Sequence, residues 1–546
     1  HRKAGVPAGA PISLRTNTGA VTQVGASTGG TLNVAAVTGI TLNDAGNDID
    51  ALGTVSNTTN GQISFTNAGG FDLTGAITAG GSQFVNLTSM NGGITQQAGG
   101  TITAQVLGVS AFSGGVTLGG DNDVDALGLV VAGSSFVFND IDDFDITSVL
   151  NAQTADLTAG GAITQSSGNL NVGTLSLTAA SVALDGANNI IVLGDVDVTG
   201  DMSFSDVNDF LLDGTQTVGG TLALAAGGAI TQQGGGLDVG RLEIDAGGGV
   251  AINLGGNAID VLGDVTSTNG DIAIINNASS ALEIDGEVSA AASGRTVYIG
   301  SLSSGVTMTS AGSISSGADM ELRGGGDVVL GNIDAGGTLT VVSAGGSVSS
   351  TAAPTITAAR LNGTATTGSF ILTGSNIDID EIGYIEVGDT FSITGNNGPL
   401  DLSNNIIAQT VSLGTTGALT QTGGSVDATT GSFSAGGSLT MGTSNAVDTV
   451  NLNGASVTYT SAGGFAAHVI TSPRAVRLTS THRRNTPTAL TGRIVADSLT
   501  ASAATGLEFF GGQNDIRVLA GLSSTSGGVT YRDMGGFEIT GGINAA

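Results

Sequence analysis

Apolar residues recur at every second position in short runs along the whole chain. Four examples are TLNVAAV at 31–37, GTLSLTA at 173–179, GTLALAA at 220–226 and GTLTVVS at 337–343. A period of two is that of a β-strand with one face buried. Val, Ile and Thr, which suit a pleated surface, fill the runs. Gly, Asn and Asp punctuate them and mark turns. No capping residue followed by a stripe of period 3.6 occurs, so no helix is predicted. The pattern predicts an all-β chain of many short strands.

A longer period lies over the strand period. NGGITQ at 91–96 recurs as GGAITQ at 160–165 and 227–232 and as TGALTQ at 416–421. The steps from Ile94 to Ile163 and from Ile163 to Ile230 are 69 and 67 residues. A second box runs NDIDALG at 47–53, NDVDALG at 122–128, NNIIVLG at 188–194 and NAIDVLG at 257–263, with weaker copies at 445–451 and 514–520. Its first residues, Asn47, Asn122, Asn188 and Asn257, are 75, 66 and 69 apart. Two boxes sharing one period indicate internal duplication. One turn of a β-solenoid takes roughly 20–25 residues, so each repeat holds about three coils and the chain roughly 25. One coil cannot cover its own inward Ile, Leu and Val, whereas a stack can. The predicted fold is a parallel β-helix, right-handed because parallel crossovers almost always are. It is expected to run as a single continuous rod over 1–546. The recurrent Asn residues are expected to stack at one corner and stabilise the turns as amide ladders.

Composition narrows the possible functions. The 546 residues include 92 Gly, no Cys and no Trp, with 14 basic residues against 45 acidic ones and a net charge of −31. With 40% hydrophobic and 11% charged residues the chain is expected to fold rather than stay disordered. No basic residue lies between Arg15 and Arg241, so no cationic stripe is available there for nucleic acid or for anionic lipid. No apolar run is long enough for a membrane helix. The absence of Cys excludes disulfides and thiolate chemistry, and suits a chain exported unfolded. The opening HRKAGVP lacks the apolar core of a signal peptide, and GGFEITGGINAA ends as a repeat cut short. A fragment of a larger protein is expected.

Residues 463–495 depart from this style. They hold five of the 14 basic residues (Arg474, Arg477, Arg483, Arg484 and Arg493), two of the three histidines (His468 and His482), and Pro473 and Pro487. Proline is poorly tolerated inside a ladder. Three readings stand: an irregular loop bulging from a coil, a basic excursion that binds a partner, or a stretch read out of frame.

Candidate chemistry is sparse. Asp121, Asp123 and Asp125 alternate as oxygen ligands do in a calcium site. The Gly of a calcium loop is replaced by Ala126, and position 132 is Ala rather than Glu. Asn139, Asp140, Asp142, Asp143 and Asp145 form a second cluster, and Asp206, Asn208 and Asp209 a third. The plainer expectation is that Asn and Asp close turns through bonds to the backbone, with no cofactor and calcium only a secondary option. A polysaccharide-degrading β-helix would need clustered carboxylates with cationic partners, which are scarce, so no catalytic residue and no enzymatic activity is expected.

The boxes GGAITQ, NAIDVLG and GTLSLTA resemble the haemagglutination-type repeats of filamentous haemagglutinin-like exoproteins. The resemblance extends over nearly the whole chain at the level of repeats. The Asn-Pro-Asn motifs of that family's secretion domain are not found. The resemblance implies a secreted adhesin at the bacterial surface, exported by the two-partner route through an outer-membrane transporter. It implies a partner on a host or neighbouring cell. Self-association into an extracellular filament is the alternative.

Overall fold

The computed structural model describes residues 9–81, 83–481, 488–489 and 492–546. Within them every regular element is a strand, and the chain is an all-β parallel β-solenoid of about 26 turns. It divides into two compact units, His1–Ile259 and Asp260–Ala546.

In the first unit the 17-residue strand Val116–Ala132 shows how a coil is made. Val116 pairs with Ile94 behind it and Phe136 ahead of it. Leu127 pairs with Leu107 and Ile146. Val130 pairs with Val109 and Leu150. The register shifts between Leu118 and Asn122 and again between Leu127 and Val130. These bulges bend one strand around two corners, so that it serves three faces of the solenoid. Every one of these pairings is parallel, and each coil returns the chain to the same face after about 20 residues: Phe136, Ala155, Leu175, Leu193 and Leu212 are successive partners.

Side-chain alternation then places apolar residues over one another. Leu42, Phe65, Leu87, Val109, Val130, Leu150 and Leu170 form one such column, each no more than 5% exposed. In the second unit Ile272, Val297, Met320, Leu339, Leu361, Ile382 and Leu402 form another. Full burial of each such side chain contributes about 1.5–3 kcal/mol. That gain exists only once a neighbouring coil is in place.

Aromatic pairs mark the corners. Phe65 and Phe71, Phe138 and Phe144, Phe204 and Phe210, and Tyr459 and Phe465 each meet edge to face, with ring centroids 5.0–5.4 Å apart. Each pair brackets a sharp turn and fills the corner beneath it, an arrangement that the ring quadrupoles favour.

The stretch expected to bulge as an irregular loop carries instead the strand Ala466–Ser480. Ile470, Val476 and Leu478 point into the core at 0–3% exposure. The strand pairs with Arg493–Ala503, and the register shifts between Ser472 and Ala475. Pro473 sits at that shift, where no ladder N–H is required of it. His482, Arg483, Arg484 and Pro487 lie outside the described residues.

Candidate functional site

The two sequence boxes meet in space. The Gln that ends each ITQ-type box is the inward residue at a strand end, where it interrupts an apolar column: Gln232 stacks on Leu212, and Gln421 on Leu402. A buried amide must find partners, because leaving one unmade costs about 1–3 kcal/mol. The partner is the Asn that opens the other box, one coil further on. Gln165 Nε2 donates to Asn188 Oδ1 at 2.8 Å, and Asn188 Nδ2 returns a bond to Gln165 Oε1 at 3.1 Å. The same reciprocal pair joins Gln96 with Asn122, Gln232 with Asn257 and Gln421 with Asn445. Gln23 with Asn47 makes a fifth, and its box, GAVTQ at 19–23, is a copy that the sequence comparison missed.

Each of these Asn side chains also ties backbone. Asn188 Oδ1 accepts the Leu170 N–H of the preceding coil, while its Nδ2 donates to Leu184 O in its own coil and Ser205 O in the next. The Asn residues do not stack as a ladder on one another. They lie at different corners: the column of Asn122 runs on through Asp140 and Ala159, whereas the Gln165–Asn188 corner stacks over Ile146 and Leu127.

One coil after the Asn, a second polar residue takes the corner. Asn67 Oδ1 accepts the Ile49 N–H and its Nδ2 donates to Ile49 O; Asn396 does the same with Ile379. Asp140 and Asp206 occupy equivalent positions and accept the N–H groups of Val124 and Ile190. Burial in the corner pushes the Asp140 carboxyl up to about 7, helped by the neighbouring Asp142 and opposed by the N–H groups it accepts. Burial raises Asp206 in the same way.

Some aspartates close their own turns as expected, Asp140 accepting the Asp142 N–H and Asp206 that of Asn208, while several exposed ones reach the next coil. Asp201 accepts the Thr221 N–H, Asp209 that of Ala229, Asp319 that of Thr338 and Asp327 that of Ser347, each at 2.7–2.8 Å and each one coil ahead. The residue before each donor is Gly220, Gly228, Gly337 or Gly346, and a Cβ there would overlap the carboxylate. Glycine doublets and turn aspartates are therefore two halves of one inter-coil clamp. A carboxylate that accepts a backbone N–H is already stabilised without a cation.

Asp121, Asp123 and Asp125 alternate along the exposed side of Val116–Ala132. Among the described residues no group of three or more His, Cys, Asp or Glu is placed to hold a metal ion.

Arg474 and Arg477 are exposed on Ala466–Ser480. Arg477 lies between Thr458 and Thr500 in register, and the exposed Arg493 lies beside Val469. Four other arginines are paired with carboxylates: Arg241 with Glu243, Arg323 with Glu321, Arg360 with Glu381, and Arg517 with Asp497. The last pair is bidentate, at 2.6 and 3.0 Å. Among the described residues Arg474, Arg477 and Arg493 have no carboxylate within ion-pair distance, and 449–496 contains no acidic residue at all.

A family model described as repeats of unknown function (DUF5649) matches residues 8–58, 133–199 and 199–268. Each match encloses one Gln–Asn pair: Gln23 with Asn47, Gln165 with Asn188, and Gln232 with Asn257. No curated protein and no solved structure matches the chain.

Proposed function

We propose that the chain is the stalk of a secreted, filamentous haemagglutinin-like surface adhesin, a non-catalytic scaffold exported through an outer-membrane transporter. One observation carries this reading. The three-coil repeat regenerates the same buried Gln–Asn tie at five places, while the outward residues around it change. What recurs is stacking itself, and stacking provides reach and surface rather than a reaction centre. A chain without cysteine also suits export in the unfolded state. Its partner in this reading is a host or neighbouring cell surface.

The test uses cells that produce the protein. Antibody against the chain should label them without permeabilisation, brief external protease should remove the signal, and beads coated with the purified chain should adhere to target cells above albumin-coated controls. Label found only after permeabilisation, or beads no stickier than albumin, would overturn the assignment.

A further inference from the structure

The basic charges of this chain are unevenly spread. Between residues 16 and 240 there are twenty aspartates and no Glu, Lys, Arg or His. Between 449 and 496 there are five arginines, two histidines and no acid. The acidic stretch belongs to one compact unit and the basic stretch to the other. Among the described residues Arg474, Arg477 and Arg493 are exposed and have no carboxylate within ion-pair distance, whereas Arg241, Arg323, Arg360 and Arg517 are each paired with one.

We propose that the paired strands Ala466–Ser480 and Arg493–Ala503, through their exposed Arg474, Arg477 and Arg493, dock onto the aspartate-rich 16–240 surface of a second copy of this chain. The complementarity is present within one sequence, so identical molecules carry both halves of the contact. Many of the aspartates bond to backbone through one oxygen, as Asp201 and Asp209 do. A carboxylate so engaged still has lone pairs on its second oxygen for a guanidinium. Because the two surfaces differ, the contact is heterologous and can propagate from copy to copy. This goes beyond the stalk reading and does not depend on it.

Ionic strength decides when the contact forms. At −31 each, whole molecules repel. At about 0.1 M salt the screening length is roughly 10 Å, which mutes that repulsion but leaves short-range pairs attractive; at about 1 M it is roughly 3 Å and the pairs weaken too. The full chain should therefore associate at tens of micromolar in about 0.1 M NaCl and dissociate in about 1 M. Sedimentation velocity reads this directly.

The variant R474E/R477E/R493E should weaken association at least about tenfold, the combined effect of three rim charges. It should keep the wild-type far-UV circular dichroism, because all three side chains are exposed. The control R241E/R323E/R360E changes net charge equally and should associate like the wild type. The proposal fails if the wild type stays monomeric at both salt concentrations, or if both triple variants lose association alike. It also fails if the wild type binds dextran sulfate while showing no self-association, which would assign these arginines to an acidic polysaccharide.

Discussion

Gln165 and Asn188, 23 residues apart, exchange two side-chain hydrogen bonds inside a corner where Asn188 is fully buried. Through its further bonds to Leu170, Leu184 and Ser205, the Asn188 amide ties three consecutive coils. Asn188→Ala removes all of these at once and leaves the Leu170 N–H without its acceptor, while the Gln165 amide keeps only its bonds to Gly168 O and the Gly186 N–H. A loss of about 1–3 kcal/mol is expected locally, which native-state hydrogen exchange at the Leu170 amide reads as a roughly ten- to hundredfold drop in protection. Unchanged protection there would show that the pair is ornamental. Exchange is preferable to a global unfolding curve, because long repeat arrays need not unfold in two states.

The clamp between Asp209 and Gly228 predicts non-additivity. Gly228→Ala forces the carboxylate away from the Ala229 N–H and should lower the melting temperature. In an Asp209→Ala background the same substitution meets no carboxylate. Its effect should shrink by about 0.5 kcal/mol or more, as for residues in direct contact. Equal effects in both backgrounds would contradict the clamp.

Asp140 supplies a pH dependence with a definite sign. Its carboxyl has an ordinary value of 3.8 and is pushed up to about 7 in the fold. Between these values the folded state holds a proton that the unfolded state has released. The stabilisation linked to this group is therefore complete below about pH 4 and is lost as pH rises through about 7. Asp140→Asn, which puts at this corner the residue type found at Asn67 and Asn396, should flatten that dependence. The melting temperatures of the two proteins should be close at pH 4 and diverge by pH 8 in favour of the variant. Parallel curves would show that the corner does not hold the proton.

The repeat itself can be excised. Deleting 123–188 removes 66 residues and joins Asn122 to the segment that normally follows Asn188, leaving the Gln96–Asn122 pair in place. Because stability in a solenoid is a sum of local and nearest-neighbour terms, the shortened chain should fold with strand content and melting temperature near those of the parent. A chain that aggregates or loses its strand signal would argue against modular repeats.

Strands, parallel stacking and duplication were legible in the sequence because each leaves a period: two for the strand, near 70 for the repeat. The coupling between boxes was not. Gln165 and Asn188 become neighbours only once a return of about 20 residues to the same corner is known, and neither box alone reveals its partner. Asp209 and Gly228 were hidden in the same way, at a spacing of 19 residues. The aromatic corner pairs also follow a pattern, Phe-x-Asn/Asp followed four residues later by Phe at Phe65, Phe138 and Phe204, which lay in plain view but was masked by the variable residue at its corner. In 463–481 the strand period was obscured by Pro473 and the arginines, although Ile470, Val476 and Leu478 kept it.

The central claim is that successive strands lie parallel and in register, and nitroxide labels measure this directly. Exposed Asn171 and Asn189 are register partners, as are Asp197 and Thr217. With no native cysteine, each pair can be converted to Cys and labelled uniquely. Labels about 4.8 Å apart in the stack should give the collapsed, exchange-dominated spectrum of touching spins for both pairs. Spectra equal to the sum of the single-label spectra would contradict the solenoid.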